Sequence, residues 1–185
     1  MFVNVRYSSG RVEEVNPAFG SSCEIQITPE AEDTMVTAGL QFPLVDVYSC
    51  WHSDLTPGLR NRLPWKEKLY CGAQADIPFY ALLNRDGLVK AAISSTNIID
   101  DCEIAFAINQ EKCTGDITMK IAVSKETQPF KIILDLEPRP LEIAIKEWRG
   151  KLDMPVTTYP EEAYEPVYCT WYVVHGEVED RKSVV

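Results

Sequence analysis

Cys50 and His52 stand two residues apart, a spacing that sets a thiol and an imidazole on one face of a strand. Such a pair works as nucleophile and base only where the cysteine is accessible, its surroundings are electropositive and a third group orients the histidine. Nothing near the pair supplies that setting, and Asp54 by itself does not, so no catalytic residue is assigned. Trp51 points to different chemistry. With His52 and Trp65 it would form a sugar platform, aromatic faces stacking on the apolar side of a pyranose while polar neighbours such as Asp54 take its hydroxyls. The competing reading makes both tryptophans core or inter-domain packing, since large aromatics dominate buried contacts.

Other chemistries find less material. The chain has two histidines, and the second, His175, lies too far along to pair predictably with His52. No clustered ligand spacing suggests a transition-metal site. Asp100-Asp101 and Glu161-Glu162 are adjacent pairs rather than spaced calcium ligands, and read as solvated turns. The six cysteines (Cys23, Cys50, Cys71, Cys102, Cys113 and Cys169) are widely and irregularly spaced, with no Cys-x-x-Cys pair. They read as reduced strand residues in a reducing compartment, and no metal or cofactor is implied.

The elements that must position these residues are mostly strands. Glu103 to Asn109 alternates Ile104, Phe106 and Ile108 on one face. Residues 117–123 repeat the pattern, with Thr118 and Lys120 on the opposite face. In 130–136 the inward set is Phe130, Ile132, Leu134 and Leu136, while Lys131 and Asp135 point to water. Further strands are expected over 2–7, 23–28, 34–38, 44–49, 79–84 and 88–95. Asn84-Arg85-Asp86-Gly87 reads as a hairpin loop, and Lys112-Cys113-Thr114-Gly115-Asp116 as another connection. Many short strands with one apolar face predict an all-β antiparallel sandwich. One segment departs from the pattern: Leu141, Ala144, Ile145, Trp148 and Leu152 fall at helical spacing. Pro140 suits the first helical turn, Glu142 complements the positive end of the dipole, and the helix closes near Gly150. Pro155 and Pro160 then punctuate a linker before the aromatic-rich run 165–175, read as one more strand. The domains expected are a sandwich over 1–137, a linker helix over 138–152, and a linker with a short terminal strand over 153–185.

Composition bounds the function. The 185 residues are enough for one domain with a real core, and too few for a complete (β/α)₈ barrel of about 250 residues. The formal net charge of −10 argues against nucleic-acid or anionic-membrane partners, which need clustered Lys and Arg. No window approaches the ~20 apolar residues of a membrane span. The first ten residues lack the charged-then-apolar order of a signal peptide, so a cytoplasmic location is expected.

A sandwich, then a helix and linker, then a strand holding Thr170-Trp171-Tyr172 resembles the front of an α-galactosidase of glycoside hydrolase family 36. Tyr48-Ser49-Cys50-Trp51-His52, Leu63-Pro64-Trp65 and the strand after the Asp86-Gly87 turn also resemble that family's N-terminal domain. The resemblance implies a β-supersandwich ahead of a catalytic barrel, with Trp171 as the tryptophan of the first barrel strand. The family's retaining mechanism needs two barrel carboxylates. Its Lys-Trp-Asp nucleophile motif is not matched: in Lys151-Leu152-Asp153-Met154 a leucine replaces the tryptophan and Pro155 follows. The glycine-rich acid/base motif is absent. The chain therefore resembles a non-catalytic module cut off where the barrel begins, either a truncated form or a stand-alone derivative.

Two functions follow as expectations. One is the supporting sandwich of an α-galactosidase-like hydrolase, with Trp51, His52, Trp65 and Trp171 near the rim of a galactoside site. The other is a stand-alone carbohydrate-binding or protein-interaction sandwich. Without a barrel, the apolar residues Val167, Tyr168, Trp171 and Val173 would form an unpaired edge, so homo-oligomerisation through the sandwich or terminal strand is expected.

Overall fold

The computed structural model describes residues 2–18, 20–53, 66–72, 76–152 and 154. Their elements run β1 Phe2–Tyr7, β2 Val12–Val15, β3 Ser22–Ile27, β4 Met35–Pro43, β5 Ser49–His52 and β6 Lys66–Cys71. They continue with β7 Phe79–Leu83, β8 Val89–Ser95, β9 Cys102–Asn109, β10 Thr114–Ala122, β11 Phe130–Asp135 and α1 Leu141–Gly150. A six-stranded sheet in the order β2-β1-β4-β10-β9-β6 faces a five-stranded one in the order β3-β11-β8-β7-β5. Neighbouring strands are antiparallel, for example β4 with β10 and β7 with β8. The all-β sandwich read from the sequence is thus the fold observed.

Alternation builds the core between the sheets. Val36, Ala38, Leu40 and Phe42 of β4 point inward, as do Ile117, Met119 and Ile121 of β10 and Ile25 and Ile27 of β3. Phe106 of β9 meets Tyr80 of β7 with ring centroids 5.9 Å apart, joining one sheet to the other. The Asn84–Gly87 hairpin loop forms as expected. Asn84 Oδ1 accepts from the backbone N–H of Asp86 and of Leu88, and Gly87 takes the positive φ of 78° that a side chain resists.

The helix also forms where its spacing places it, and it belongs to the same compact unit as the strands, which ends at Leu152. It covers the outer face of the five-stranded sheet, where Ala144 and Trp148 pack with Phe79, Ala81, Val89 and Ile133 in a second apolar cluster. That cover corrects the reading of β11. Asp135, expected to point to water, is only 6 % exposed, because its face of the strand lies under the helix segment. Its charge is met by Arg139, whose guanidinium also reaches Glu137 and Glu147. Ile133 is buried on that same second face.

Four other elements differ from expectation. Residues 44–48 are not a strand. Leu44 and Val47, three apart, both turn toward the core, while Val45 and Tyr48 are exposed and Asp46 has φ 58°. The chain is reversing direction here, and the next strand starts only at Ser49. Thr114, Gly115 and Asp116 belong to β10 rather than to the connection, whose tight residue is Cys113 at φ 52°. The strands β2 and β6 had no counterpart in the sequence reading. Both lie at edges of the six-stranded sheet and are rich in charge, as in Val12-Glu13-Glu14-Val15 and Lys66-Glu67-Lys68. Edge strands favour such residues because charge opposes pairing with other chains.

Two carboxylates tie distant segments together and make stability pH-dependent. Asp33, 1 % exposed, accepts hydrogen bonds from the backbone N–H of Glu30 at 2.9 Å and of Ser9 at 3.1 Å. Those bonds, the Glu30 N–H foremost, hold its pKa below the ordinary value against the opposing effect of burial. Glu24 bridges Lys131 at 2.7 Å and Lys151 at 2.8 Å, and the two ammonium groups lower its pKa to about 2. A carboxylate with a depressed folded pKa contributes stability above its unfolded pKa and loses it as pH falls toward the folded value. The urea midpoint is therefore expected to fall as pH drops from about 4.5 toward 2. Asp33→Ala should cost about 2–3 kcal/mol near neutrality by leaving the Glu30 and Ser9 donors unpaired. It should also flatten the acid limb of the curve. An unchanged acid limb in that variant would show that Asp33 is not its source.

Candidate functional site

Of the residues singled out from sequence, Cys50, Trp51 and His52 lie among the described ones. On β5, Trp51 and His52 face opposite sides of the strand, as the period of two requires. Trp51 is half-buried, stands edge-on to Phe79 at 5.9 Å and 75°, and packs against the helix-covered cluster. His52 lies parallel to Tyr80 at 6.3 Å and 8°, on the side of the strand that faces the other sheet. Its Nδ1–H donates to the Ser53 carbonyl at 2.6 Å, since a carbonyl can only accept. Cys50 shares the face of His52 and packs against the main core. Asp54, Trp65, Trp171 and His175 lie outside the described residues. Among the described residues, no group of three or more His, Cys, Asp or Glu is placed to hold a metal ion. No helix among them is long and apolar enough to cross a membrane.

A polar concavity lies on the outer face of the six-stranded sheet. Register aligns three cross-strand rows there. Asn4, Gly39 and Thr118 form the middle row, Arg6, Thr37 and Lys120 one flank, and Gln41 with Asp116 the other. These are the outward partners of the buried positions Val3, Val5, Ala38, Leu40, Ile117 and Met119, so the alternation that fills the core also lays out this face.

Gly39 makes the face concave. A Cβ at this position would sit 3.1 Å from Asn4 Oδ1, so a side chain would fill the middle of the row and push Asn4 aside. The result is an open, shallow cleft of about 350 Å³ bordered by Asn4, Arg6, Thr37, Gln41, Asp116 and Thr118. Gln41 Nε2 donates to Asp116 Oδ1 at 3.0 Å, which fixes both side chains on the cleft wall. Ala105 and Ala107 of β9, opposite Thr118 and Asp116, continue the low floor. Beyond them the face rises into a charged rim, where Glu103 pairs with Lys68 at 2.6 Å and Lys120 at 3.7 Å. Lys68 also lies 5.3 Å from the ring of the exposed Tyr70.

This arrangement offers donors and acceptors at close spacing over a floor of small residues, with charges of both signs at its margins. It provides neither a nucleophile with an adjacent base nor a pair of carboxylates across a gap, so the described residues of the cleft have no machinery for bond cleavage. The sequence held one available signal for it: a glycine in mid-strand marks a bulge or a close approach, and Gly39 interrupts an otherwise well-alternating strand. The described residues form an all-β, two-sheet antiparallel sandwich with a helix on one face and a polar cleft on the other. Comparison with protein-family models, with curated proteins and with solved structures finds no match for the chain.

Proposed function

We propose that this chain is a non-catalytic β-sandwich module of a carbohydrate-active protein, and that it binds an oligosaccharide in the cleft between Asn4, Arg6, Gln41, Asp116 and Thr118. The observation that carries this reading is the glycine-floored, hydrogen-bonding concavity on the outer sheet face. Sugars present dense hydroxyls to such a surface, and each well-made neutral hydrogen bond adds about 1 kcal/mol. The α-galactosidase-like context, with a supporting role beside a barrel and homo-oligomer contacts, belongs to the same reading. It is supported by the order of sandwich and helix and by the Tyr48–His52 motif. A cytoplasmic location fits the free thiols of Cys23, Cys50, Cys71, Cys102 and Cys113.

Titration of the full chain with methyl α-galactoside and with galacto-oligosaccharides, followed by backbone amide shifts, tests the proposal. Shifts are expected to concentrate on β1, β4 and β10. Asp116→Ala should weaken binding about tenfold through the lost hydrogen bonds to ligand and to Gln41. Gly39→Val should abolish it while preserving the thermal midpoint, because β-branched residues suit strands. Trp51→Ala should leave affinity unchanged and lower stability instead. Shifts confined to the surroundings of Trp51, or loss of binding in the folded Trp51→Ala variant, would move the site to β5. An absence of sugar-dependent shifts anywhere would end the carbohydrate reading.

A further inference from the structure

The cysteine spacing carries no message along the chain, but the fold turns it into one. Cys71, the last residue of β6, and Cys102, the first of β9, are direct cross-strand partners. Partners in an antiparallel pair have Cα atoms about 4.5–5.5 Å apart, inside the range that a disulfide spans. Both side chains turn into the core, each 3 % exposed. We propose that Cys71 and Cys102 form a redox-responsive pair that closes into a cross-strand disulfide on exposure to a small-molecule disulfide and reopens with a dithiol reductant.

The position gives the bond a purpose and a gate. Strand β6 is the last strand of its sheet and pairs with β9, and its end is also tied by the Asp76 N–H to the Tyr70 carbonyl at 3.3 Å and the Gly72 N–H to the Asp76 carbonyl at 3.2 Å. A covalent tie at its end would staple it and fix Lys68 and Tyr70, which rim the outer face. In the closed fold the Cys102 thiol is a poor nucleophile, because the adjoining Cys71 thiol and burial push its pKa far above the ordinary value. Oxidation must therefore pass through fraying of the strand end, the least costly opening available to an edge strand. The chemistry balances in two displacements. One cysteine thiolate attacks a sulfur of the small disulfide RSSR and releases RS⁻. The second cysteine thiolate then attacks the mixed disulfide at the protein sulfur and releases another RS⁻. The two protons lost by the cysteines end on the two RSH molecules formed.

The exposed Cys113 would capture oxidant by itself, so the full chain carrying Cys113→Ser is the protein to use. It is equilibrated with oxidised and reduced glutathione in graded ratios, up to oxidised glutathione alone, then alkylated, digested and mapped by mass spectrometry. The expected product is a cross-linked peptide pair joining Cys71 to Cys102, lighter by two hydrogens and restored by dithiothreitol. Adding Cys102→Ser should remove it. Amide hydrogen exchange over 68–71 should slow at least about tenfold in the oxidised form, because the tie suppresses local opening. Recovery of both cysteines as alkylated thiols across the whole range, or of either one linked only to other partners, would overturn the proposal. Cross-linking without slowed exchange in β6 would overturn the stapling role.

Discussion

Replacing Trp148 by alanine is expected to lower stability by about 3–5 kcal/mol, the range for deleting a buried large aromatic. The helix that carries it has ten residues, too short to persist by itself in water. Its N-cap is Pro140, which makes no side-chain capping bond, so local sequence does little to hold it. Tertiary contact does the rest. Trp148 packs at 5.5 Å from the ring of Phe79, and its Nε1–H donates to the buried carbonyl of Ser95 at 3.0 Å. Truncation removes the packing, opens a cavity in the second cluster and leaves the Ser95 carbonyl unpaired. Trp148→Phe should recover much of the packing but not the bond, and cost about 1–2 kcal/mol. Urea unfolding measures both, and limited proteolysis across 141–150 should become faster in the alanine variant. A loss below about 1 kcal/mol would mean that the helix contributes little to the sandwich.

Phe106→Ala is expected to cost a similar 3–5 kcal/mol, through the main core rather than the second. The ring bridges the sheets through Tyr80, and its place is reserved from the neighbouring strand. A Cβ on Gly115 would lie 2.6 Å from Phe106 Cε2 and 3.0 Å from Leu44 Cδ2, so this strand position stays empty to admit the ring. Gly115→Ala should therefore destabilise by about 1–3 kcal/mol through overpacking. Combined with Phe106→Ala, most of that penalty should vanish, since the atom in conflict is gone. Strict additivity in the double-mutant cycle would show that the two positions are not coupled.

These pairs show how much was legible in advance. The alternation in β9, β10 and β11 identified the inward residues, and the Asn84–Gly87 turn and the helix over 141–150 were readable from local residue chemistry. Asp135 was misread because its strand was judged as one-faced. A helix covering the second face turns a solvent position into a buried one, and the strand's own pattern does not report that cover. The segment 44–49 was misread because Leu44, Val45, Val47 and Tyr48 have strand-like composition, while the reversal at Asp46 depends on neighbouring segments. The edge strands β2 and β6 escaped notice because charge is what keeps an edge from pairing further.

The amino-acid sequence by itself determined the class of this protein: period-two apolar patterns separated by turn residues can bury their surface only as packed sheets. It also determined the amphipathic helix over 141–150. Tertiary structure alone decided which strands are neighbours, and with that the composition of every site. Asn4, Gly39 and Thr118 come from three separated segments, as do Arg6, Thr37 and Lys120, and Cys71 meets Cys102 across a strand pair. The physical reason lies in the forces involved. Alternation follows from each strand's own backbone geometry, whereas sheet order and register arise from backbone hydrogen bonds that any sequence can make. Cooperative packing of the whole core selects among them.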